Sequence, residues 1–215
     1  MTDRMSRSGH LCRPFLWMIA ALSATATGFS QTLTADSVAT ALRAGGYVIV
    51  MRHASSPRIL PTAAQADAEN TQLERQLDEA GRASARDMGE ALRRLKIPIG
   101  EVLSSPTYRA LQTVRHARLG EARTHPELGD SGASMQAQTD GKRGSWLQVR
   151  STQLPSPGVN TVFVTHSPNM SEAFPTAATG MADGEALVLR PDGKGSASVI
   201  ARVKIEDWKN MTVAP

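Results

Sequence analysis

Apolar positions along the chain follow two patterns: unbroken β-prone runs, and stripes recurring every three to four residues. Tyr47-Val-Ile-Val-Met51 and Thr161-Val-Phe-Val-Thr165 are unbroken runs. Continuous rather than alternating apolar character predicts strands buried on both faces, as in a parallel sheet. Ile99-Gly-Glu-Val-Leu103 predicts a further short strand. Between these runs lies a stripe of Ala85, Met88, Leu92 and Leu95, opened by Asp78 and closed by Pro98. It predicts an amphipathic helix. Thr34-Ala-Asp36 predicts the cap of an earlier helix through Leu42-Arg43, ended by Gly45-Gly46. Ser105-Pro106 predicts the start of a third helix, with Ser105 as cap and proline in the first helical position.

The remaining segments are less periodic. Residues 54–76 and 120–145 predict long loops, and Trp146 to Gln153 a short helix. Glu185-Ala-Leu-Val-Leu-Arg190 and Ser198-Val-Ile-Ala-Arg-Val203 flank Pro191-Asp-Gly-Lys-Gly195, which predicts a hairpin at a sheet edge. Strands alternating with helices predict an α/β fold. The expected architecture is a three-layer sandwich, a mostly parallel central sheet flanked by helices, with no large cap domain. A length of 215 residues suits one such domain plus a short appendage.

The appendage is the first thirty residues. Arg4, Arg7 and Arg13 form a basic start, Pro14 to Leu22 is apolar, and small residues lead to Gly28-Phe-Ser-Gln31. This is the three-part layout of a secretory signal peptide, so residues 1–30 are expected to be a leader and 31–215 the functional domain, periplasmic or secreted. The apolar run is short for a bilayer span, so no stable membrane insertion is expected after cleavage; an uncleaved anchor is the alternative. Cys12 is the only cysteine and lies inside the leader, outside any Leu-x-small-Cys lipidation setting. Disulfides and thiol chemistry are thus not expected of the domain. Removing residues 1–30 takes away three arginines and one aspartate, lowering the net charge from +4 to +2. With few aromatics and no basic run, nucleic acid is not an expected partner.

Candidate chemistry clusters where the predicted strands end. Arg52-His53 follows the first run, Arg109 falls in the first turn of the helix after the second, and His166 follows the third. In α/β sheets, ligands bind at the carboxyl ends of parallel strands. Two arginines and two histidines gathered there make a cationic pocket, and guanidinium groups match phosphate oxygens in pairs. The following helix start could add its dipole.

In this setting Val50-Met-Arg-His53-Ala resembles the Arg-His-Gly signature of the histidine phosphatase (phosphoglycerate-mutase-like) superfamily. Further blocks follow in family order: Gln76-Leu-Asp-Glu-Ala-Gly81-Arg, Leu103-Ser-Ser-Pro-Thr-Tyr-Arg109-Ala-Leu-Gln-Thr113, Thr165-His166-Ser-Pro-Asn169 and Glu185 to Gly193. The resemblance implies a phosphoglycerate-mutase-like fold and phosphomonoester hydrolysis through a phosphohistidine on His53. It also implies that Arg52, Arg109 and His166 hold the phosphoryl oxygens, and that no metal or other cofactor is needed.

Three departures qualify it. Ala54 stands where the family has glycine, which is tolerable if φ stays negative. Ser167 stands where some members carry an aspartate proton donor. By likeness to the mutase-like branch, the donor is then Asp130 or, second, Glu127, with solvated loop carboxylates as the alternative for both. Finally, Arg58 falls where several members place another phosphate ligand. Asn169 matches an asparagine that orients loops or ligand, or simply caps a turn. His116 and His125 are expected at the surface. The implied partner is a small phosphorylated substrate, with a cell-envelope phosphate as the first guess for an exported enzyme. A non-catalytic anion-binding module is the alternative function, and a phosphomutase a more distant one.

Overall fold

The computed structural model describes residues 1–2, 33–130 and 143–213. The leader assignment and Cys12 thus fall outside the described residues, Met1 and Thr2 excepted, as does part of the 120–145 loop. Among the described residues no helix is long and apolar enough to cross a membrane.

The first helix, α1 (Ala35–Ala44), starts at Thr34, whose side chain accepts from the Ser37 amide, and ends at Gly45 with φ +75°. The unbroken run forms β1 (Val48–Arg52), followed by a stretch without helix or strand up to Asp78. There the Asp78 carboxylate caps α2 (Glu79–Arg94) through the Gly81 amide at 2.7 Å. Its other oxygen takes the Ser55 hydroxyl at 2.7 Å, which ties the helix to the chain just past His53.

Further along come β2 (Ile99–Ser104), α3 (Tyr108–Ala117), β3 (Ala122–Thr124) and a 3₁₀ turn at Pro126–Leu128. After the undescribed residues, α4 (Arg143–Arg150), β4 (Asn160–Thr165), α5 (Ser167–Ala173), β5 (Ala186–Pro191) and β6 (Ala197–Val203) complete the chain, with a 3₁₀ turn at Trp208–Asn210.

The sheet order is β3-β2-β4-β1-β5-β6. β3, β2, β4 and β1 run parallel, while β5 runs antiparallel to both β1 and β6, with β6 at the edge as the hairpin pattern predicts. Pleating sends alternate residues of the buried strands to opposite faces. Ile49, Met51, Val162 and Val164 pack against α1, α2 and α3 on one face. Val48, Val50, Leu103, Phe163 and Leu187 pack against α4 and α5 on the other. Both cores are therefore built from the same unbroken runs, each fully buried Val, Leu or Phe contributing about 1.5–3 kcal/mol. This is the expected three-layer α/β sandwich, and no large cap is evident among the described residues.

Two glycines set helix positions. A Cβ at Gly81 would lie 2.1 Å from the Ser55 carbonyl oxygen, and one at Gly89 1.8 Å from that of Ala117. Backbone approaches this close admit only glycine, and they seat α2 under the His53 loop and against α3.

Five local expectations differ from the structure. α3 begins two residues later than predicted, with Thr107 rather than Ser105 at the N-cap, because the Ser105 hydroxyl is engaged by His166 (2.8 Å) and by the Thr107 amide (3.2 Å). The helix start is also not open: Glu74 accepts from the Tyr108 amide at 3.2 Å. The predicted 120–145 loop contains β3, too short and polar to show a period, which extends the sheet beside β2. α4 begins before Trp146 and ends before Gln153, and α5 occupies a stretch given no element from sequence.

Candidate active site

Parallel pairing gathers the candidate residues. Arg52 lies opposite Thr165, and Ser104 opposite Val164, so β1, β2 and β4 end level with one another. The residues just beyond, His53, Ser105 and His166, therefore share one crevice. The His53 amide donates to the Thr165 carbonyl at 3.0 Å, carrying the strand contact one residue further.

His53 is 3 % exposed. Its Nδ1 lies 2.8 Å from the Ala54 carbonyl, which can only accept, so Nδ1 carries the proton. That leaves a lone pair on Nε2, which accepts from Arg109 Nε at 3.1 Å. Burial first, then the neighbouring His166, Arg109 and Arg52, holds the His53 pKa well below the ordinary imidazole value, partly offset by the Ala54 hydrogen bond. The ring is thus neutral, with its basic nitrogen facing the arginine. Ala54 fits this turn: among the described non-glycine residues only Leu73, Lys96 and Arg118 have positive φ. Its amide donates to Thr113 Oγ1 at 3.1 Å.

Arg109, 2 % exposed, reaches three partners from the first turn of α3. Besides His53, its Nη2 contacts His166 Nδ1 at 3.2 Å and forms an ion pair with Asp130 Oδ2. With Nδ1 accepting from Arg109, the His166 proton sits on Nε2 and is donated to Ser105 Oγ at 2.8 Å. Burial, then the surrounding arginines with Arg109 first, also holds the His166 pKa well below the usual imidazole range. The two rings stand edge to face, their centroids 5.2 Å apart.

Arg52 approaches from β1. Its Nη1 donates to the Met181 carbonyl at 2.9 Å, and Nη2 pairs with Asp183 at 2.5 Å, an ion pair without hydrogen-bond alignment. These residues line a cleft of about 580 Å³ together with Arg58, Arg75, Asp130, Ser167 and Met181.

Sequence reasoning missed Arg75. It is set in place by Nε to the Pro57 carbonyl (2.6 Å) and Nη2 to the Ser56 carbonyl (3.1 Å). Its position three residues before the Asp78 cap, which opens the helix packed under the His53 loop, was the available signal.

The two carboxylates named from sequence sit apart. Asp130 lines the cleft and pairs with Arg109. Glu127 lies outside that lining; it pairs with His125 Nδ1 at 2.7 Å, and that contact holds its pKa below the usual value. His125 in turn lies against Trp146, ring centroids 4.4 Å apart. Arg58 is an exposed residue on the cleft rim. Asn169 Nδ2 donates to the carbonyls of Gly129 (2.9 Å) and Glu127 (3.1 Å), so it holds the loop that presents Asp130. The Gln112 and Thr113 side chains of the arginine block are likewise anchors, to Leu77 and Ala54 respectively.

The family model for the histidine phosphatase superfamily (branch 1) matches residues 48–140. Residues 48–140 are thus similar to that superfamily, and the fold of the chain is similar to that of solved structures. Among solved structures, the chain is similar to the protein histidine phosphatase SixA in complex with tungstate. That match has 22 % identity and a TM-score of 0.53, over 75 % of this chain and 98 % of the other. A putative phosphohistidine phosphatase SixA from Agrobacterium tumefaciens has 18 % identity and a TM-score of 0.50, over 74 % and 97 % of the two chains. A mutant phosphoserine phosphatase from Entamoeba histolytica in complex with phosphoserine has 12 % identity and a TM-score of 0.51, over 74 % and 98 %. No curated protein matches the chain.

Proposed function

We propose that the protein is a phosphatase that hydrolyses a phosphomonoester through a phosphohistidine on His53. The observation that carries this reading is the His53 ring itself, neutral, buried, locked by Ala54 at Nδ1 and facing Arg109 with Nε2. A nucleophile needs that lone pair, and phosphoryl transfer needs cations around the equatorial oxygens, where charge spreads in the transition state.

In the proposed reaction, the phosphoryl group of the substrate takes the Arg109 guanidinium from Asp130. Arg52, Arg75 and Arg109 hold its oxygens, with Arg58 at the rim, and His166 joins them once its Nδ1, which faces Arg109, takes up a proton beside the dianion. As Arg109 turns from His53 to the phosphoryl oxygens, His53 Nε2 attacks phosphorus and the ester P–O bond breaks; the leaving oxygen takes a proton from Asp130, which binds one from solvent once it is released from Arg109. Asp130, then a carboxylate, accepts a proton from the water that attacks the N–P bond, releasing phosphate and free His53. Asp130 is favoured over Glu127 because it lines the cleft, whereas Glu127 is committed to His125. The arginines supply the charge stabilisation that a metal ion supplies elsewhere, so the reading requires none.

The leader-like segment 1–30 supports export to the periplasm or medium, where a cell-envelope phosphate is the substrate class to try first. N-terminal sequencing of the secreted protein, with Gln31 expected first, checks the cleavage.

The decisive experiment incubates the protein with an aryl phosphate in the presence of a chelator. Phosphate release and an acid-labile phosphoenzyme that is missing in His53→Ala are expected. Vanadate binding without turnover would select a non-catalytic anion-binding module instead.

A further inference from the structure

A second dense polar cluster lies outside the cleft, at the base of the β5–β6 hairpin, and the reaction above does not use it. Glu185 is 3 % exposed. Arg202, on β6, grips its carboxylate with both prongs, Nε to Oε1 at 2.5 Å and Nη2 to Oε2 at 2.8 Å. The same guanidinium donates to the carbonyls of Thr179 (2.7 Å) and Gly180 (3.1 Å), and Glu185 Oε2 accepts from the Ala182 amide at 2.7 Å. This pair therefore fixes the backbone of 179–182 at several points. Burying a carboxylate requires such partners. The hydrogen bond from Arg202 holds the Glu185 pKa below its ordinary value.

The other side of that segment carries the cleft. Arg52 Nη1 donates to the Met181 carbonyl, and Asp183 pairs with Arg52 Nη2. Two backbone contacts close the arrangement, from the Arg52 amide to the Glu185 carbonyl at 3.0 Å and from the Gly184 amide to the His53 carbonyl at 2.9 Å. Core packing gives no reason for an arginine at position 202. Strand alternation turns Ala201 and Val203 inward and Arg202 outward, so any soluble side chain would satisfy the sheet. Its commitment to one carboxylate and the carbonyls of a single segment is what calls for explanation.

We propose that Arg202 and Glu185 are positioning residues for the reaction. They hold segment 179–183 so that the Met181 carbonyl and the Asp183 carboxylate aim the Arg52 guanidinium into the cleft. Neither touches the substrate. The hairpin, which contributes no reacting group, thus acts on the phosphoryl group through Arg52, and the inference rests on the reading of Arg52 as a phosphate ligand. A guanidinium held at two points keeps its orientation at less entropic cost than a free one, which sharpens binding of the transferring group more than it secures the fold.

The test is a double-mutant cycle on the full chain, read as vanadate affinity by calorimetry and, in parallel, as kcat/KM for an aryl phosphate. Arg202→Met is expected to weaken vanadate binding by about tenfold in the native background, and by less than about twofold in an Arg52→Met background. Arg202→Lys, which keeps the charge but loses the fork, is expected to fall between. Equal losses in both backgrounds, or no loss in the native one, would overturn the proposal. If Arg202→Met does not fold, Glu185→Gln completes the same cycle. Vanadate binding with no turnover refutes the phosphatase reading while leaving the cycle intact. Absence of vanadate binding by the native protein overturns both.

Discussion

Two histidine–carboxylate groupings flank the same stretch of chain after β2. In one, His53 and His166 meet Asp130 through Arg109, which is 2 % exposed. In the other, His125 bonds Glu127 directly, with side-chain exposures of 39 % and 27 %. Both bring imidazole and carboxylate together, yet only the first lies at level strand ends with arginines around it. Solvent screens the second pair, so its contact is worth little. In the first, burial and surrounding cations keep both rings neutral and leave the His53 Nε2 lone pair facing Arg109 beside the cleft. The difference comes from the backbone frame rather than from the side chains.

Mutation can break that contrast, beginning with His53, the proposed nucleophile. His53→Ala is expected to lower kcat by about 10⁴-fold or more and to abolish phosphoenzyme formation, measured by burst kinetics and acid-lability assays. Loss of less than tenfold would remove His53 from the reaction. Asp130→Asn comes next, with an expected fall in kcat of about 10²- to 10³-fold for alkyl phosphates and a smaller one for esters with good leaving groups. An equal fall across leaving groups would show that Asp130 does not protonate them.

The pH profile is a third measure. An ordinary imidazole would lose about tenfold in its neutral fraction one unit below pH 6.5. With His53 held neutral by burial, kcat/KM for the substrate dianion is expected to stay nearly flat down to that point. An acid limb at or above pH 6.5 would contradict the burial argument. Stability carries the same shift in a definite sense. Both buried histidines bind protons more readily unfolded than folded. Their contribution is complete above about pH 6.5 and is lost as the pH falls below it, which thermal melts across that range would register.

The smallest effect belongs to the exposed pair. Glu127→Gln is expected to change kcat/KM by less than about threefold and stability by at most about 1 kcal/mol. A hundredfold loss would exchange the roles of the two carboxylates.

Much of this frame was legible in the sequence. Val48 to Met51 and Val162 to Val164 are unbroken because both sheet faces are covered, and the charged residues that end such runs mark the crevice. What escaped was set by contacts distant in sequence. Ala122 to Thr124 is a polar edge strand whose only strand signal is its pairing with β2. Thr107 caps α3 because Ser105 is claimed by His166, from another strand. Arg75 sits in a stretch without periodicity, and its place depends on the Ser56 and Pro57 carbonyls. No short-range pattern separates Asp130 from Glu127, since what distinguishes them is which one Arg109 reaches.

That last contact has a consequence for how the cleft fills. With Asp130 already seated on Arg109, the site carries its own counter-ion, and an arriving phosphoryl group must exchange with it rather than simply add. Apparent affinity is then the difference between two anions competing for one guanidinium, which favours doubly charged ligands over singly charged ones. In the proposed reaction the exchange also sets the timing: the carboxylate leaves the arginine and takes up its proton before the leaving oxygen needs it.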